Sequence, residues 1–339
     1  MATYKGIQGY SVQKLASDPT ASEADGQLWY NSSTGKFNLA VAGAGAWASA
    51  PSLNTARSLN AGAGASNSAS MTFGGSIPAL TANTETYDGS SWVEGNNLNN
   101  ARSYLVGIGT STAGLAVGGQ PPATAGYTES YNGTSWTTKN VLSRGADTPQ
   151  ASSYAMGGGT NTSALFFGGD EGAANTQAKT ESWNGTTWTE TGDLNTARSY
   201  AAGCGTSNTS ALCISGFKWP SPTLTNAPEV EEFNGTTWSE EADVNTARGQ
   251  LVCANTGTTT AALKFTGRNA PDAASSATTE KYNGTSWTEV GDLAAAQKAG
   301  AGAGTSGSAI SMGGANPTFS AVVETWNDPV YTIKTVTVS

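Results

Sequence analysis

The sequence predicts an all-β protein, a closed β-propeller of six four-stranded blades preceded by a short β-hairpin extension. Three observations carry this. A unit repeats along the chain, marked by tryptophans at 47, 92, 136, 188, 238 and 287 that stand 44 to 52 residues apart, the period of a four-stranded propeller blade. Asn-Gly or Asp-Gly pairs recur between short β-prone runs, the local signature of a hairpin. Histidine is absent and charged residues make up 12% of the chain, while Gly, Ala, Ser, Thr and Asn dominate. That composition suits short strands and tight turns and suits helices poorly.

Each unit has the same internal order. Leu98-Asn99-Asn100-Ala101-Arg102 leads into a small-residue strand ending at Gly109, here called a. After the turn Thr110-Ser111-Thr112 comes strand b, Leu115 to Gly119, then a loop, then strand c, Thr128 to Tyr131, and after Asn132-Gly133 strand d begins at Trp136. Asn184-Gly185, Asn234-Gly235, Asn283-Gly284 and Asp88-Gly89 repeat the c–d turn, for which a two-residue type I′ hairpin is expected. Strand a is nearly all Gly and Ala in several units, as in Ala299 to Gly304, which fits a crowded innermost strand beside a central channel.

These residues resemble the kelch repeat over roughly residues 45 to 331. An arginine opens the first strand at Arg57, Arg102, Arg198 and Arg248. A double glycine ends the second at Gly74-Gly75, Gly118-Gly119, Gly168-Gly169 and Gly313-Gly314, weakened to Ser215-Gly216 and Thr266-Gly267. The third strand carries the aromatics Tyr87, Tyr131, Trp183, Phe233, Tyr282 and Trp326, and the fourth the tryptophan. The chain departs from the kelch pattern in its short interval of five from aromatic to tryptophan. Further departures are Leu142-Ser143-Arg144-Gly145-Ala146 in the third unit and Gln297 where the sixth should have arginine.

A propeller left open would expose strand edges and blade faces, so the ring is expected to close. Trp47 opens a d-type strand with no a, b or c strand before it, and is expected to complete the last blade. Tyr331 competes for that role; if Trp47 takes it, Val330 to Ser339 is left as a strand free to pair elsewhere. The expected division is therefore an N-terminal docking extension over 1–42, a propeller over 43–331 and a C-terminal strand or tail over 332–339. Within the extension, Gln27-Leu28-Trp29-Tyr30 and Lys36-Phe37-Asn38-Leu39 read as a hairpin about Asn31 to Gly35. Forty residues bury little surface alone, so this piece is expected to pack on the propeller or a partner.

Several chemistries are disfavoured by composition. A net charge of -9 without any Lys/Arg run argues against nucleic acid and anionic membranes as partners. No apolar stretch approaches the roughly 18 residues that span a bilayer, and Met1 to Gly6 does not resemble the start of a signal peptide, so the sequons at Asn132, Asn184, Asn234 and Asn283 read as turns. Cys204, Cys213 and Cys253 are too few and too irregular for a disulfide framework or zinc site and read as reduced core side chains. Without histidine there is no Ser-His-Asp or Cys-His triad, and the copper oxidation known among kelch-fold enzymes lacks its ligands. Paired carboxylates remain at Glu190 and Asp193, at Glu240, Glu241 and Asp243, and at Glu289 and Asp292, all in equivalent d–a loops and read as solvated. Glu85, Glu129, Glu181, Glu231, Glu280 and Glu324 recur with the unit, as do the strand-a arginines, and read as structural ion pairs. No catalytic residue, metal or cofactor is expected.

Binding is expected on the face where b–c loops vary in length while the a–b and c–d turns opposite stay uniform. The longest b–c loop carries Phe217, Lys218, Trp219, Pro220 and Pro222, a stiff apolar contact able to stack on a sugar ring or anchor a protein. Pro121, Asp170, Glu171 and Arg268 open or line the neighbouring loops and complete the candidate binding residues. As a whole the chain resembles the kelch-repeat proteins of tailed, particularly marine, bacteriophages. The residues that carry this are Tyr4-Lys5-Gly6-Ile7-Gln8-Gly9, Gly26-Gln27-Leu28-Trp29-Tyr30-Asn31 and the regular Asn-Gly-Thr-x-Trp and Leu-Asn-Thr-Ala-Arg units. The resemblance implies a non-enzymatic virion component of a tail or appendage, made in the host cytoplasm and part of a homo-oligomeric or multi-protein assembly. Its N-terminal extension would dock to other virion proteins, and the b–c face would meet a host-surface glycan or protein. An intracellular kelch-type adaptor and a glycan-active hydrolase are the alternatives.

Overall fold

The computed structural model describes residues 12–19, 27–42, 45–121, 126–143, 153–170, 176–219, 224–270, 274–328 and 331–336, and none of them is helical. The chain divides into two compact units, Ala46–Asn327 and a smaller one made of Met1–Gly45 with Asp328–Ser339. Among the described residues the larger unit contains six four-stranded antiparallel sheets. Sheet 1 is Ala61–Ser66, Ala69–Phe73, Thr84–Tyr87 and Trp92–Gly95, in the order a, b, c, d. Sheets 2 to 5 follow over 106–139, 156–190, 202–241 and 252–289. Sheet 6 takes its a, b and c strands from Ala301–Thr305, Ser308–Met312 and Val323–Asn327 and its d strand from Ala46–Ala50. Trp47 lies opposite Trp326 and Ala46 opposite Asn327.

The strand Tyr331–Val336 pairs instead with Lys36–Ala42 in the smaller unit, so Tyr331 closes no sheet of the larger one. The larger unit starts at 46 and ends at 327, three residues inside the expected start at 43 and four inside the expected end at 331. In the smaller unit Leu28–Asn31 and Lys36–Ala42 form the hairpin, and Gln13–Leu15 adds in parallel. Asp18 Oδ1 accepts hydrogen bonds from Trp29 Nε1, Asn31 Nδ2 and Asn38 Nδ2, each at 2.8 Å, and these donors hold its carboxyl below the ordinary value.

The c–d turns correct one expectation. Tyr131 pairs with Trp136, so the loop has four residues, Asn132 to Ser135, and is no two-residue type I′ hairpin. Only Gly133 takes a positive φ, 92°, while Asn132 Oδ1 accepts the N–H groups of Thr134 and Ser135 at 2.9 and 2.8 Å. The asparagine side chain does the work of a second turn residue, which is why Asp88 serves equally in sheet 1.

Two repeated contacts join the sheets. Each unit's c-strand glutamate accepts the backbone N–H of the residue after the repeating Leu or Val, at 2.6 to 2.8 Å, which pins the incoming d–a connection to the sheet it leads into. Arg57, Arg102 and Arg198 ion-pair with Glu85, Glu129 and Glu231, all fully buried. The tryptophans then tie each sheet to the one before it. Trp136, Trp188, Trp238 and Trp47 donate their indole N–H to Thr84, Thr128, Thr180 and Thr279 at 2.9 to 3.1 Å. Trp92 and Trp287 donate instead to the carbonyls of Pro51 and Ala242. The reason is visible in the sequence: the threonine before the glutamate is replaced by Val323 and Val230 in the sheets those tryptophans face.

Candidate functional site

The site begins with a backbone irregularity that every unit shares. Leu59, Tyr104, Tyr154, Tyr200, Gln250 and Ala299 precede their a strands and all lie in the left-handed region, with φ from 53° to 59°. Such a conformation costs a non-glycine residue of order 1–3 kcal/mol and persists only where surroundings enforce it. Here the enforcement is mutual. Just before the irregular residue, Ser103 exchanges backbone hydrogen bonds with Gln120 at the start of the b–c loop, and Ser199 does the same with Phe217. The irregular residue then donates its N–H to its counterpart in the preceding sheet: Tyr104 N–H to Leu59 O, Tyr200 to Tyr154, Gln250 to Tyr200, Ala299 to Gln250 and Leu59 to Ala299, at 2.6 to 3.0 Å. These six residues therefore form a rim at the b–c end of the innermost strands.

The rim is lopsided. Three consecutive positions carry tyrosine, and their rings pack together, Tyr154 stacked on Tyr200 at 4.3 Å and edge-on to Tyr104 at 4.2 Å. The other three carry Gln250, Ala299 and Leu59. Gln120 Nε2 donates to the Tyr154 hydroxyl at 3.1 Å. Burial, and then the neighbouring Tyr154, pushes the Tyr104 hydroxyl up to about 12; burial raises Tyr200 as well, with Tyr154, Tyr104 and Asp170 adding to it. Near neutral pH these two hydroxyls are uncharged hydrogen-bonding groups.

Inside the rim lies a cavity of about 150 Å3, walled by the innermost strands. Its walls are main chain and small side chains because the strands crowd one another: a Cβ on Gly107 would come within 2.2 Å of Gly62 O. Sheet 5 supplies a floor. Its a strand is only Val252–Cys253, and the chain then turns so that Asn255 Nδ2 donates to Gly109 O of sheet 2 at 3.1 Å while Asn255 Oδ1 accepts Gly304 N–H of sheet 6 at 3.2 Å. On the wall, Asn60 is 6% exposed. Its Nδ2 donates to Thr72 Oγ1 at 2.7 Å and Met312 O at 3.4 Å, while its Oδ1 has no partner among the described residues.

None of the sequence-predicted residues that are described lines this cavity. Phe217 is fully buried, its ring 5.8 Å from Tyr200 and 4.7 Å beneath the Arg268 guanidinium, so it supports the rim from below and presents no face to a ligand. The reason is that Phe217–Lys218 pairs back on Thr225–Asn226 and seats the ring over Gly249, where a Cβ would stand 2.4 Å from it. Arg268 Nε donates to Gln250 Oε1 at 2.8 Å and so joins the rim. Lys218 is half-buried and ion-pairs with Glu229, whose carboxyl is held low by this lysine against the opposing effect of burial. Trp219 is half-buried, with a buried indole N–H lacking a partner among the described residues. Asp170 is buried beside Ser153, and Pro121 is half-buried after Gln120. Pro220, Pro222 and Glu171 lie outside the described residues, as do Tyr4 to Gly9.

Two of the loop carboxylates hold backbone together. Asp193 and Asp292 accept the N–H groups of Thr180 and Thr279 at 3.0 and 3.1 Å. Among the described residues no three His, Cys, Asp or Glu side chains are placed to hold a metal ion, and no helix is long and apolar enough to cross a membrane. Sequence reasoning missed Tyr104, Tyr154, Tyr200, Gln250, Asn60 and Asn255. A signal existed for the first three: Arg-Ser-Tyr at 102–104 and 198–200 and Ser-Tyr at 153–154 recur at one position of the unit.

No described protein family matches the sequence, and no curated protein does. Among solved structures there is likeness of fold. The chain is similar to YjhT. The two share 13% identity with a TM-score of 0.61, over 84% of this chain and 99% of that one. At that identity the likeness speaks for a propeller-like all-β fold and nothing further.

Proposed function

We propose that the chain is a six-bladed kelch-type propeller carried on the virion of a tailed bacteriophage, a non-enzymatic module for host-surface attachment or particle decoration. The blade number is supported by the tryptophan series, which passes from each sheet to the one before it and returns to its start through Trp47 and Trp92. Binding is supported by one observation above all. Six strained residues are held in a rim over a cavity on the b–c face, whereas the a–b and c–d turns opposite are short and alike except for the a–b connection of sheet 5. Asp193 and Asp292, one member of two of the d–a carboxylate pairs, are engaged in holding backbone, which favours binding over glycan hydrolysis.

In this reading the smaller unit docks to other virion proteins and the b–c face meets a glycan or protein of the host surface. Mass spectrometry of purified particles should find the chain at structural-protein abundance, and its absence from washed particles would sink the virion reading. A glycan panel followed for product formation should show binding without turnover; turnover lost in Glu240→Gln would overturn the non-enzymatic one.

A further inference from the structure

We infer that Cys204 and Cys253 are a redox pair, which a peroxide converts to a disulfide that clamps sheet 4 to sheet 5. The inference stands apart from what the b–c face binds. It starts from a register that the other sheets give to glycine. Cys253 lies opposite Lys264, and Gly62, Gly107, Gly157, Gly203 and Gly302 hold the same place in their own sheets. A Cβ on Gly62, Gly107, Gly203 or Gly302 would come within 2.2 to 2.8 Å of the carbonyl oxygen of the equivalent residue in the preceding sheet. Cys253 does carry a side chain there, and its thiol donates to that carbonyl, Gly203 O, at 3.0 Å. The sulfur is thereby brought against the residue that precedes Cys204.

Cys204 faces the same joint from the other side. Alternate residues of a strand point to opposite faces, so Cys204 turns away from the face of Gly203 and shares a buried cluster with Leu251, Cys253 and Ala262 of sheet 5. A thiol hydrogen bond links it to Cys253. Cys213, opposite Gly203, belongs instead to the cluster of Met156 and Phe167 of sheet 3. The two a strands are tied on both sides of the pair, Gln250 N–H to Tyr200 O at 2.8 Å and Gly205 N–H to Asn255 O at 3.4 Å. A disulfide needs Cα atoms about 4.4–6.8 Å apart, and backbones bonded at both ends of so short a segment lie at that order of separation. Cys204 is fully buried, whereas Cys253 lines the cavity, so a small oxidant meets Cys253 first. Hydrogen peroxide gives one oxygen to the Cys253 sulfur as its O–O bond breaks, leaving a sulfenic acid and one water. The Cys204 sulfur then attacks the Cys253 sulfur; the S–S bond forms, the S–O bond breaks, and the hydroxyl leaves with the Cys204 proton as a second water. The two thiols together lose two electrons, which the peroxide takes. The hydrogen bond from Cys204, and then burial, pushes the Cys253 thiol well above its ordinary value, so the first step is slow at neutral pH and quickens as pH rises.

The test incubates the whole chain with millimolar hydrogen peroxide at pH 7 and pH 9 and counts free thiols after unfolding in guanidinium. The count should fall from three to one, faster at the higher pH, with a linked Cys204–Cys253 peptide in the digest and full recovery on adding dithiothreitol. Cys213→Ser should still form the link, and Cys204→Ser should stop at a sulfenic acid on Cys253 that dimedone traps. Oxidation should raise the urea midpoint of the wild type and leave that of Cys204→Ser unmoved. Three free thiols after prolonged exposure at pH 9, a link through Cys213, a sulfinic acid on Cys253 in place of the link, or a link that leaves the midpoint where it was overturns the inference. A thermal melt checks that each variant is folded; where one is not, the wild-type thiol count and digest decide.

Discussion

Ser215 and Thr266 occupy the position that four other units give to the first of two glycines. Those glycines have φ of 63° to 67°, and the two side chains adopt 58° and 59°. Their hydroxyls fare differently. Ser215 Oγ lies 2.8 Å from Ala227 O and 2.9 Å from Arg248 O and accepts Arg248 N–H at 3.0 Å, whereas Thr266 Oγ1 is buried without a partner among the described residues. Thr266→Gly is therefore expected to stabilise by about 1 kcal/mol, strain and an unmet hydroxyl outweighing the added chain entropy. Ser215→Gly should cost about 1 kcal/mol. Urea unfolding of the two variants reads both signs.

A second single-residue test lies in sheet 5. Lys264 is fully buried and donates to Glu280 Oε1 at 2.6 Å and Thr246 O at 2.9 Å, which leaves Arg248 3.9 Å from the same carboxylate. Burial, and then the Arg248 charge, pushes the lysine down to about 8 from 10.5, against the pull of Glu280 and Glu289. Between these values the unfolded chain keeps a proton that the folded one has lost, so stability rises with pH across that window and is flat below it. Relative to Lys264→Ala, the wild type should gain up to about 1.4 kcal/mol per pH unit from pH 8 to 10.5. A pH-independent difference would show that the amine titrates normally. The repeating glutamates and arginines were legible as structural pairs because they recur with the unit. The extra cation was not, since Thr72, Ala116, Phe166, Cys213 and Ser311 stand at its position elsewhere and nothing marks it before the fold brings Arg248 alongside.

At the level of strands, the unit boundaries, the four-strand order and the role of Trp47 were readable because each is written in a local pattern repeated several times. The turn type was not, because Asn-Gly specifies a turn without fixing how many residues close it. Phe217 was read as an exposed contact because prolines follow it, and only its pairing with Asn226 turns the ring inward. Trp47 is the joint on which sheet 6 depends: it bonds Thr279 at 2.9 Å and packs 4.8 Å from Phe265 and 5.8 Å from Trp326. Trp47→Ala should cost about 3 kcal/mol in denaturant unfolding. A loss under about 0.5 kcal/mol, the size of an ordinary surface change, would mean that Ala46–Ala50 contributes little to the sheet.

At the scale of the molecule, the rim and its cavity were illegible for a simple reason. Tyr104, Tyr154 and Tyr200 come from three units, Asn60 from a fourth and Asn255 from a fifth, and only the return of the sheets upon themselves brings them together. That same return has another consequence. Asn327 and Ala46 are paired neighbours at the tip of a c–d hairpin, the place where the other units run Asn-Gly-Thr from an aromatic to a tryptophan. Asn327 already supplies the first residue of such a turn. Splicing Gly-Thr between it and Ala46 would restore a seamless sixth copy and free the polypeptide to begin at any other loop. The order of the sheets in the larger unit is thus separable from the place at which its polypeptide starts.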